Sequence, residues 1–304
     1  MSGVNLLARF RPVAQRVVPG ARLIDVRPLP GGMSAEITVL ELEHPDGGPQ
    51  TLVVREYGPK NVAADAHPAG TETGLLQHLL DAGLPVPRPW YADDSAELLD
   101  GPFSVIDFIV ADPPPADWSA AAAAEFVRPL IRLHELPPGP TPLRHYIDRV
   151  DRWLTDGPAQ PDESMRETVI RERLGAWWPE HTEGATRILH GDFWPGNTLW
   201  RDGRLVSVID WEDAAVGDVR SDLANLRLEL VWAYGPEAAV DFTERYAAAA
   251  GPDAPDLSEL PYWDLVAATR PVGRLHEWGL DPLRMDVFLT RFQEFVDAAL
   301  AITG

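Results

Sequence analysis

The sequence HGDFWPGN at residues 190–197 is followed, a short hairpin later, by IDWE at residues 209–212. The two segments place two carboxylates and one carboxamide, Asp192, Asn197 and Asp210, in loops beside apolar runs. Taken singly, each could be a turn residue that caps its own backbone. Together, their spacing favours a site where one carboxylate handles a proton while two other oxygen ligands hold a divalent cation.

Phosphoryl transfer needs this combination of groups. The acceptor hydroxyl must be aligned with the γ-phosphorus, and a carboxylate ~3 Å from that hydroxyl can orient it and accept its proton. Mg²⁺ needs few protein ligands, because phosphate oxygens and water complete its coordination shell. We therefore predict Asp192 as the catalytic carboxylate and Asn197 and Asp210 as Mg²⁺ ligands. Calcium-loop and zinc sites are disfavoured, because neither an Asp-x-Asp-x-Asp spacing nor a His/Cys cluster is present.

The composition narrows the class of protein. The chain has 304 residues, a net charge of −21 and no cysteine. The negative charge disfavours nucleic acid as a partner; it would attract a cationic substrate, although a general solubility bias explains it better. The lack of cysteine excludes disulfides and fits the cytoplasm. No apolar run reaches the ~18 residues of a membrane helix, so we expect no membrane partner. We also expect the protein to be cytoplasmic and to be a monomer or a homodimer.

The first part of the chain has the pattern of an antiparallel sheet. Short apolar runs with strand-like composition occupy residues 22–26, 36–42, 51–57 and 103–109, and Pro- and Gly-rich turns separate the first three. Residues 71–82 have one leucine-rich face, which predicts a helix.

Helical periodicity dominates from residue 117 onward. The predicted helices cover residues 119–135, 145–155, 162–178, 218–234, 236–250, 259–278 and 283–301. Short strands at 187–189, 198–200 and 205–209 interrupt them around the polar motifs. We predict an α+β fold with two domains: a nucleotide-binding lobe at residues 1–110 and a larger helical lobe at residues 111–304 that carries the catalytic loop and the acceptor site.

The two polar motifs resemble the signature of the aminoglycoside phosphotransferase and choline kinase-like family, and the resemblance extends over about residues 22–250. It implies a protein kinase-like fold, Mg²⁺, ATP or GTP as co-substrate and transfer to a hydroxyl of a small molecule. It gives Asp192 the proton-accepting role and His190 a structural one. Known members act on aminoglycosides, macrolides, choline, homoserine and sugar derivatives, so the expected acceptor is an aminoglycoside-like antibiotic, an amino alcohol or a sugar.

The same resemblance implies a phosphate-binding cation on the third strand, where the family commonly has a lysine. Here the strand offers Arg55, whereas Lys60, the one lysine of the chain, follows a Gly-Pro step outside the strand. Glu72 shares the inward side of the predicted helix with its leucines and is the expected ion-pair partner of Arg55. The alternatives are a solvated strand arginine and a first-turn glutamate that the helix dipole favours.

Two further segments are candidates for nucleotide contacts. Gly31, Gly32 and Ser34 lie between the first two strands, where open backbone N–H groups could cover phosphates; a simple hairpin turn is an equal alternative. Asp107 and Ile109 fall where the family's hinge contacts the base.

The acceptor pocket is expected in the helical lobe. Aromatic and basic candidates are Trp194, Trp232, Tyr234, Arg270, Arg274, His276 and Trp278, and the acidic residues Glu212, Asp213 and Glu229 could receive a cationic group. Two other functions stay open: a catalytically silent nucleotide-binding scaffold or regulator, and a hydrolase that uses the paired carboxylates.

Overall fold

A computed structural model describes residues 3–29, 35–178 and 186–304. The chain forms two compact units. The first consists of Met1–Asp112 together with Val206–Glu212, and the second consists of Pro113–Leu205 together with Asp213–Gly304.

The first unit is built on a five-stranded antiparallel sheet with the strand order β1-β2-β3-β5-β4. Its elements are α1 (Gly3–Val17), β1 (Arg22–Leu29), β2 (Ala35–Glu43), β3 (Pro49–Tyr57), α2 (Pro59–Ala64), α3 (Pro68–Asp81), β4 (Pro89–Asp93) and β5 (Phe103–Asp107). The central strand β3 pairs Arg55 with Ile37 on one side and with Ser104 on the other. Pairing on both sides fixes the backbone from which the Arg55 side chain extends.

One apolar cluster holds α1 against the sheet. Phe10 and Val13 of α1 are fully buried with Leu40, Val54 and Phe103 from three strands. Full burial of such a side chain contributes about 1.5–3 kcal/mol. The segment Val206–Glu212 belongs to the same unit, and the Val208 N–H donates to the carbonyl of Pro85 at 2.7 Å.

The second unit is mostly helical. Its elements are α4 (Ala120–Glu135), β6 (Arg144–His145), α5 (Tyr146–Thr155), α6 (Glu167–Trp177), β7 (Arg187–Leu189), β8 (Thr198–Arg201), the start of β9 (Arg204–Val208), β10 (Ala215–Gly217), α7 (Arg220–Tyr234), α8 (Pro236–Ala250), α9 (Leu260–Ala268) and α10 (Pro282–Thr303). Helix α7 is buried along most of its length and packs against α8, α9 and α10.

A three-stranded sheet with the order β6-β10-β7 lies within this helical unit. Strand β10 runs parallel to β6 and antiparallel to β7, so Ala215 pairs with both Arg144 and Leu189. The start of α5 follows β6, and the HGDFWPGN loop follows β7. The sheet therefore places these two segments side by side.

The structure confirms the α+β class and most predicted elements. Helix α1 was not predicted, and Pro12 lies inside it. Helix α2 and the short strands β4, β6 and β10 were not predicted either. The helix predicted over residues 259–278 ends at Ala268, where turns that contain Pro271 and Gly273 (φ +71°) interrupt it before a 3₁₀ turn at Leu275–Trp278.

No helix in the described part of the chain has the length and apolarity required to cross a lipid bilayer.

Phe126 of α4 tests the packing that supports the HGDFWPGN loop. It is fully buried and meets Phe193 and Trp200 edge-on, with ring centroids 6.3 Å and 5.4 Å away. We expect Phe126→Ala to lower the free energy of unfolding by about 3–5 kcal/mol, because lost burial and a cavity add up. Denaturant titration measures the loss. Val240→Ala on α8, where the valine is 54% exposed, is the matched control and should change stability little.

Candidate active site

A buried carboxylate holds the backbone at the start of the HGDFWPGN loop. Asp222, in the first turn of α7, accepts the backbone N–H groups of His190 at 2.8 Å and Gly191 at 2.9 Å. Gly191 has φ +76°, and a Cβ there would lie 2.1 Å from the carbonyl oxygen of Asp213. A residue with a Cβ atom would clash with this carbonyl, so position 191 requires glycine.

The charge of Asp222 is maintained inside the protein. His134 hydrogen-bonds to Asp222 with Nε2 at 3.3 Å and to the hydroxyl of Tyr246 with Nδ1 at 2.8 Å. Burial would raise the pKa of Asp222, but the hydrogen bond and charge of His134 outweigh it and hold the pKa below its usual value. An ionised Asp222 accepts hydrogen bonds more strongly than a neutral one, so it holds the start of the loop firmly in place.

Asp192 and Asn197 are held together within the loop. The Asn197 side-chain N–H₂ donates to the Asp192 carbonyl at 2.9 Å and to its carboxylate Oδ2 at 3.1 Å. Asn197 ends a 3₁₀ turn, Pro195–Asn197, and is buried. These contacts use the amide nitrogen of Asn197 and not its amide oxygen. His190 is fully buried, and its Nδ1 accepts the Asp192 N–H at 3.2 Å, which is a structural role.

Arg270 is the partner of Asp192 that the sequence did not reveal. It follows α9, and its guanidinium donates to the Asp192 carboxylate Oδ1 and to the Gly191 carbonyl. It also lies 3.8 Å from the carboxylate of Asp213. Burial would lower the pKa of Arg270, but the charges of Asp192 and Asp213 raise it above its usual value. Arg270 therefore fixes one oxygen of Asp192 while Asn197 fixes the other.

Glu229 adds a buried carboxyl to the same region. It projects from α7 and is 9% exposed. Burial first, and then the negative charge of Asp192, raise the pKa of Glu229 to about 8, against the opposite effect of Arg270. Glu229 is therefore mostly protonated at neutral pH.

In the first unit, Arg55 contacts three carboxylates. It lies 3.5 Å from Glu72, 2.8 Å from Asp210 and 2.6 Å from Glu212. The expected ion pair with Glu72 is therefore present, and the Tyr57 hydroxyl donates to Glu72 at 2.6 Å. Burial would lower the pKa of Arg55, but the surrounding negative charges raise it well above its usual value.

Asp210 has an unusual backbone. Its φ is +64°, a left-handed backbone conformation that residues other than glycine rarely adopt. Its Oδ1 accepts a hydrogen bond from Arg55, which leaves Oδ2 available, and 35% of the side chain is exposed. Glu212, one of the candidates for contact with a cationic acceptor, accepts from Arg55 and from the Asn61 side chain at 3.1 Å. Its spacing from Asp210 is the sequence signal for a second carboxylate at this position.

The remaining predicted nucleotide contacts are placed only in part. Gly31, Gly32 and Ser34 lie outside the described residues. Asp107 ends β5, and its carboxylate accepts from the Trp90 indole at 2.6 Å; Ile109 follows two residues later. Among the acceptor candidates, Trp232 and Trp278 pack on Phe288.

Arg55→Met tests the three-carboxylate arrangement. We expect it to lower the free energy of unfolding by about 3–5 kcal/mol, because Glu72 would stay buried without a cation. The matched control is Arg22→Met, which removes an exposed ion pair with Glu43 (72% and 40% exposed) and should cost less than about 1 kcal/mol. Equal losses in a urea titration would contradict a structural role for Arg55.

Glu229→Gln tests the buried carboxyl. In the unfolded chain its pKa is about 4.3, so the folded protein, with a pKa of about 8, binds the extra proton between these values. The contribution of Glu229 to the free energy of unfolding is fully present below pH ~4.3 and is lost as the pH rises towards 8. We expect the variant to gain stability over the parent between about pH 5 and pH 8 in thermal unfolding. A difference that does not change with pH would show that Glu229 is charged when folded.

Comparison with known proteins assigns the chain to a family. The family model described as the phosphotransferase enzyme family matches residues 25–262. Homoserine kinase from Rhodospirillum rubrum is 30% identical over 190 residues, which cover 59% of this chain and 57% of that protein. Acyl-CoA dehydrogenase family member 11 from Rattus norvegicus is 26% identical over 203 residues, which cover 61% of this chain but 26% of that longer protein.

The fold is also that of solved kinases for small molecules. A thermostable variant of aminoglycoside phosphotransferase APH(4)-Ia, crystallised with AMP-PNP and hygromycin B, superposes with a TM-score of 0.64 at 17% identity. The match covers 91% of this chain and 94% of that one. With its antiparallel sheet, its helical unit and its HGDFWPGN loop, the chain belongs to the phosphotransferase enzyme family and has a protein kinase-like fold.

Proposed function

We propose that the protein transfers the γ-phosphate of ATP or GTP to a hydroxyl of a small molecule in the cytoplasm. The arrangement of Asp192 supports this most strongly: Arg270 and Asn197 fix its two carboxylate oxygens, and Asp222 anchors the loop that carries it. Two compared proteins agree with such a reaction. One is named a homoserine kinase, and the other was crystallised with a nucleotide analogue and hygromycin B.

Asp192 acts on the acceptor. Its carboxylate orients the acceptor hydroxyl and takes its proton as the hydroxyl oxygen bonds to the γ-phosphorus. The bond from that phosphorus to the β–γ bridging oxygen breaks, and the nucleoside diphosphate leaves with the electron pair. The acceptor is one of the family's substrate types: an aminoglycoside-like antibiotic, an amino alcohol or a sugar.

Asn197 and Asp210 are the proposed Mg²⁺ ligands. Both present a hard oxygen that the contacts described above leave available, which suits this ion. The described residues contain no group of three His, Asp or Glu side chains that could hold a metal ion alone. Mg²⁺ commonly takes only one or two protein carboxylates and draws its other ligands from phosphate and water. When bound, it neutralises charge on the phosphates.

Arg55 is the proposed phosphate-binding cation. Glu72 and the β3 backbone hold it in place, and a guanidinium can grip phosphate oxygens with two N–H groups. Gly31, Gly32, Ser34, Asp107 and Ile109 are proposed to contact the rest of the nucleotide.

Asp192→Asn tests the reaction. We expect Mg²⁺-dependent nucleotide consumption with a panel of hydroxyl acceptors to fall by about 10²–10⁴-fold, because the amide cannot accept the proton. Nucleotide should still raise the thermal stability of the variant, since ligand binding stabilises the native state. The matched control is Asp286→Asn, an exposed aspartate of α10, which should keep parental turnover.

Equal turnover in the Asp192→Asn variant and the parent would remove Asp192 from its assigned role. Nucleotide binding without turnover on any acceptor would favour a silent scaffold.

A further inference from the structure

Three arginines from different elements surround the HGDFWPGN loop within the second unit. Arg144 lies on β6, Arg149 on α5, and Arg270 follows α9. The sheet β6-β10-β7 brings the first two beside the loop, because Ala215 pairs with both Arg144 and Leu189. The close packing of Gly217 confirms this proximity: a Cβ there would lie 2.9 Å from Cβ of Tyr146.

Arg149 differs from the other two in its contacts. In the part of the chain that the structure describes, the Arg149 side chain forms neither a hydrogen bond nor an ion pair. Its guanidinium lies 5.8 Å from the ring centroid of Tyr146. The side chain is partly buried. Burial, and then the positive charge of Arg270, lower the pKa of Arg149, against the effects of Asp213 and Asp192. Arg149 is thus a partly desolvated cation next to a second cation.

Other partly buried arginines of this unit have a close counterion or a backbone carbonyl as hydrogen-bond acceptor, the latter in the case of Arg173 and Arg291. Arg227 donates to both carboxylate oxygens of Asp264 at 2.9 Å each, and Arg171 lies 2.8 Å from Glu167. A protein normally pairs such a charge, because removing it from water without a partner is unfavourable. The missing partner of Arg149 is therefore best explained by a ligand.

The nearby carboxyl groups do not supply this partner. Asp192 is engaged by Arg270 and Asn197. Asp213 lies 3.8 Å from Arg270 and 3.7 Å from Arg144. Glu229, with a pKa of about 8, is mostly uncharged at neutral pH. Among the described residues, no carboxyl group therefore pairs with the Arg149 side chain.

We infer that Arg149 binds an anionic group of the acceptor, so that the acceptor carries a carboxylate or a phosphate near the hydroxyl that receives the γ-phosphate. The inference rests on the proposed function and changes its acceptor class: it favours hydroxylated anions, such as sugar acids and sugar phosphates, over cationic antibiotics and amino alcohols. A guanidinium suits this role, since its fork of N–H groups matches two oxyanion oxygens.

The first experiment compares matched hydroxyl compounds that differ in charge. Glycerate, glycerol and serinol form one set, glucuronate, glucose and glucosamine a second, and glycerol phosphate and a glucose phosphate separate phosphate from carboxylate. Mg²⁺-dependent ATP consumption and binding by calorimetry are both measured with the full-length protein. We expect the anionic members to bind more tightly than the neutral and cationic members of their sets, and any turnover to be confined to them.

The second experiment compares variants of the same helix. Arg149→Gln should weaken binding of the anionic probes by ~10-fold or more, which corresponds to the loss of a charge-assisted hydrogen bond. Arg149→Lys should restore part of this affinity. Arg152→Gln removes an exposed arginine one turn further along α5 and should leave the affinity within about twofold of the parent.

Thermal stability separates a ligand-binding arginine from a structural one. Arg149→Gln should leave the melting temperature without acceptor unchanged or higher, because it removes repulsion from Arg270. Loss of a structural arginine should instead lower the melting temperature. Arg227→Gln, which breaks the ion pair with Asp264, is the example and should lower the melting temperature clearly.

Any one of three binding results would overturn the inference: neutral or cationic probes that bind as well as their anionic counterparts, no binding of any anionic probe, or an Arg149→Gln variant with parental affinity for the anionic probes. Turnover of cationic acceptors would overturn it while the proposed function stands. Anion binding that depends on Arg149, without turnover on any probe, would support the inference and count against the proposed transfer reaction.

Discussion

The ionised carboxylate of Asp222 is the contact on which the catalytic loop depends. It accepts the two N–H groups, of His190 and Gly191, at the point where β7 ends and the loop begins. Without it these groups would be buried and unsatisfied, which is costly. His134 and Tyr246 extend the network to α4 and α8, so the position of Asp192 is set by helices far away in sequence.

Local patterns were sufficient to predict much of this molecule. Most strands and most helices followed from apolar periodicity and turn residues. The roles of Asp192, Asn197 and Asp210 rest on motif spacing and stay predictions. The Arg55–Glu72 pair also followed, because one buried charge requires another nearby. Helix α1 was missed because Pro12 interrupts its pattern, and β4 because its run is short and begins with proline.

What the sequence could not reveal are contacts between distant segments. Arg270 is 78 residues from Asp192, and Glu212 is 157 residues from Arg55. Many arginines and acidic residues compete for such pairings in a chain with 26 basic and 47 acidic residues. Only the folded arrangement selects among them.

Gly217 has a consequence for how such an enzyme could change its substrate. Its backbone touches Tyr146 and Leu189 so closely that an added methyl group would force one of them to move. Tyr146 starts the helix that carries Arg149, whereas Leu189 leads into the loop of Asp192. A larger residue at 217 would therefore shift the helix of Arg149 relative to the loop of Asp192, so a single substitution could change the spacing of these two groups while both stay in place.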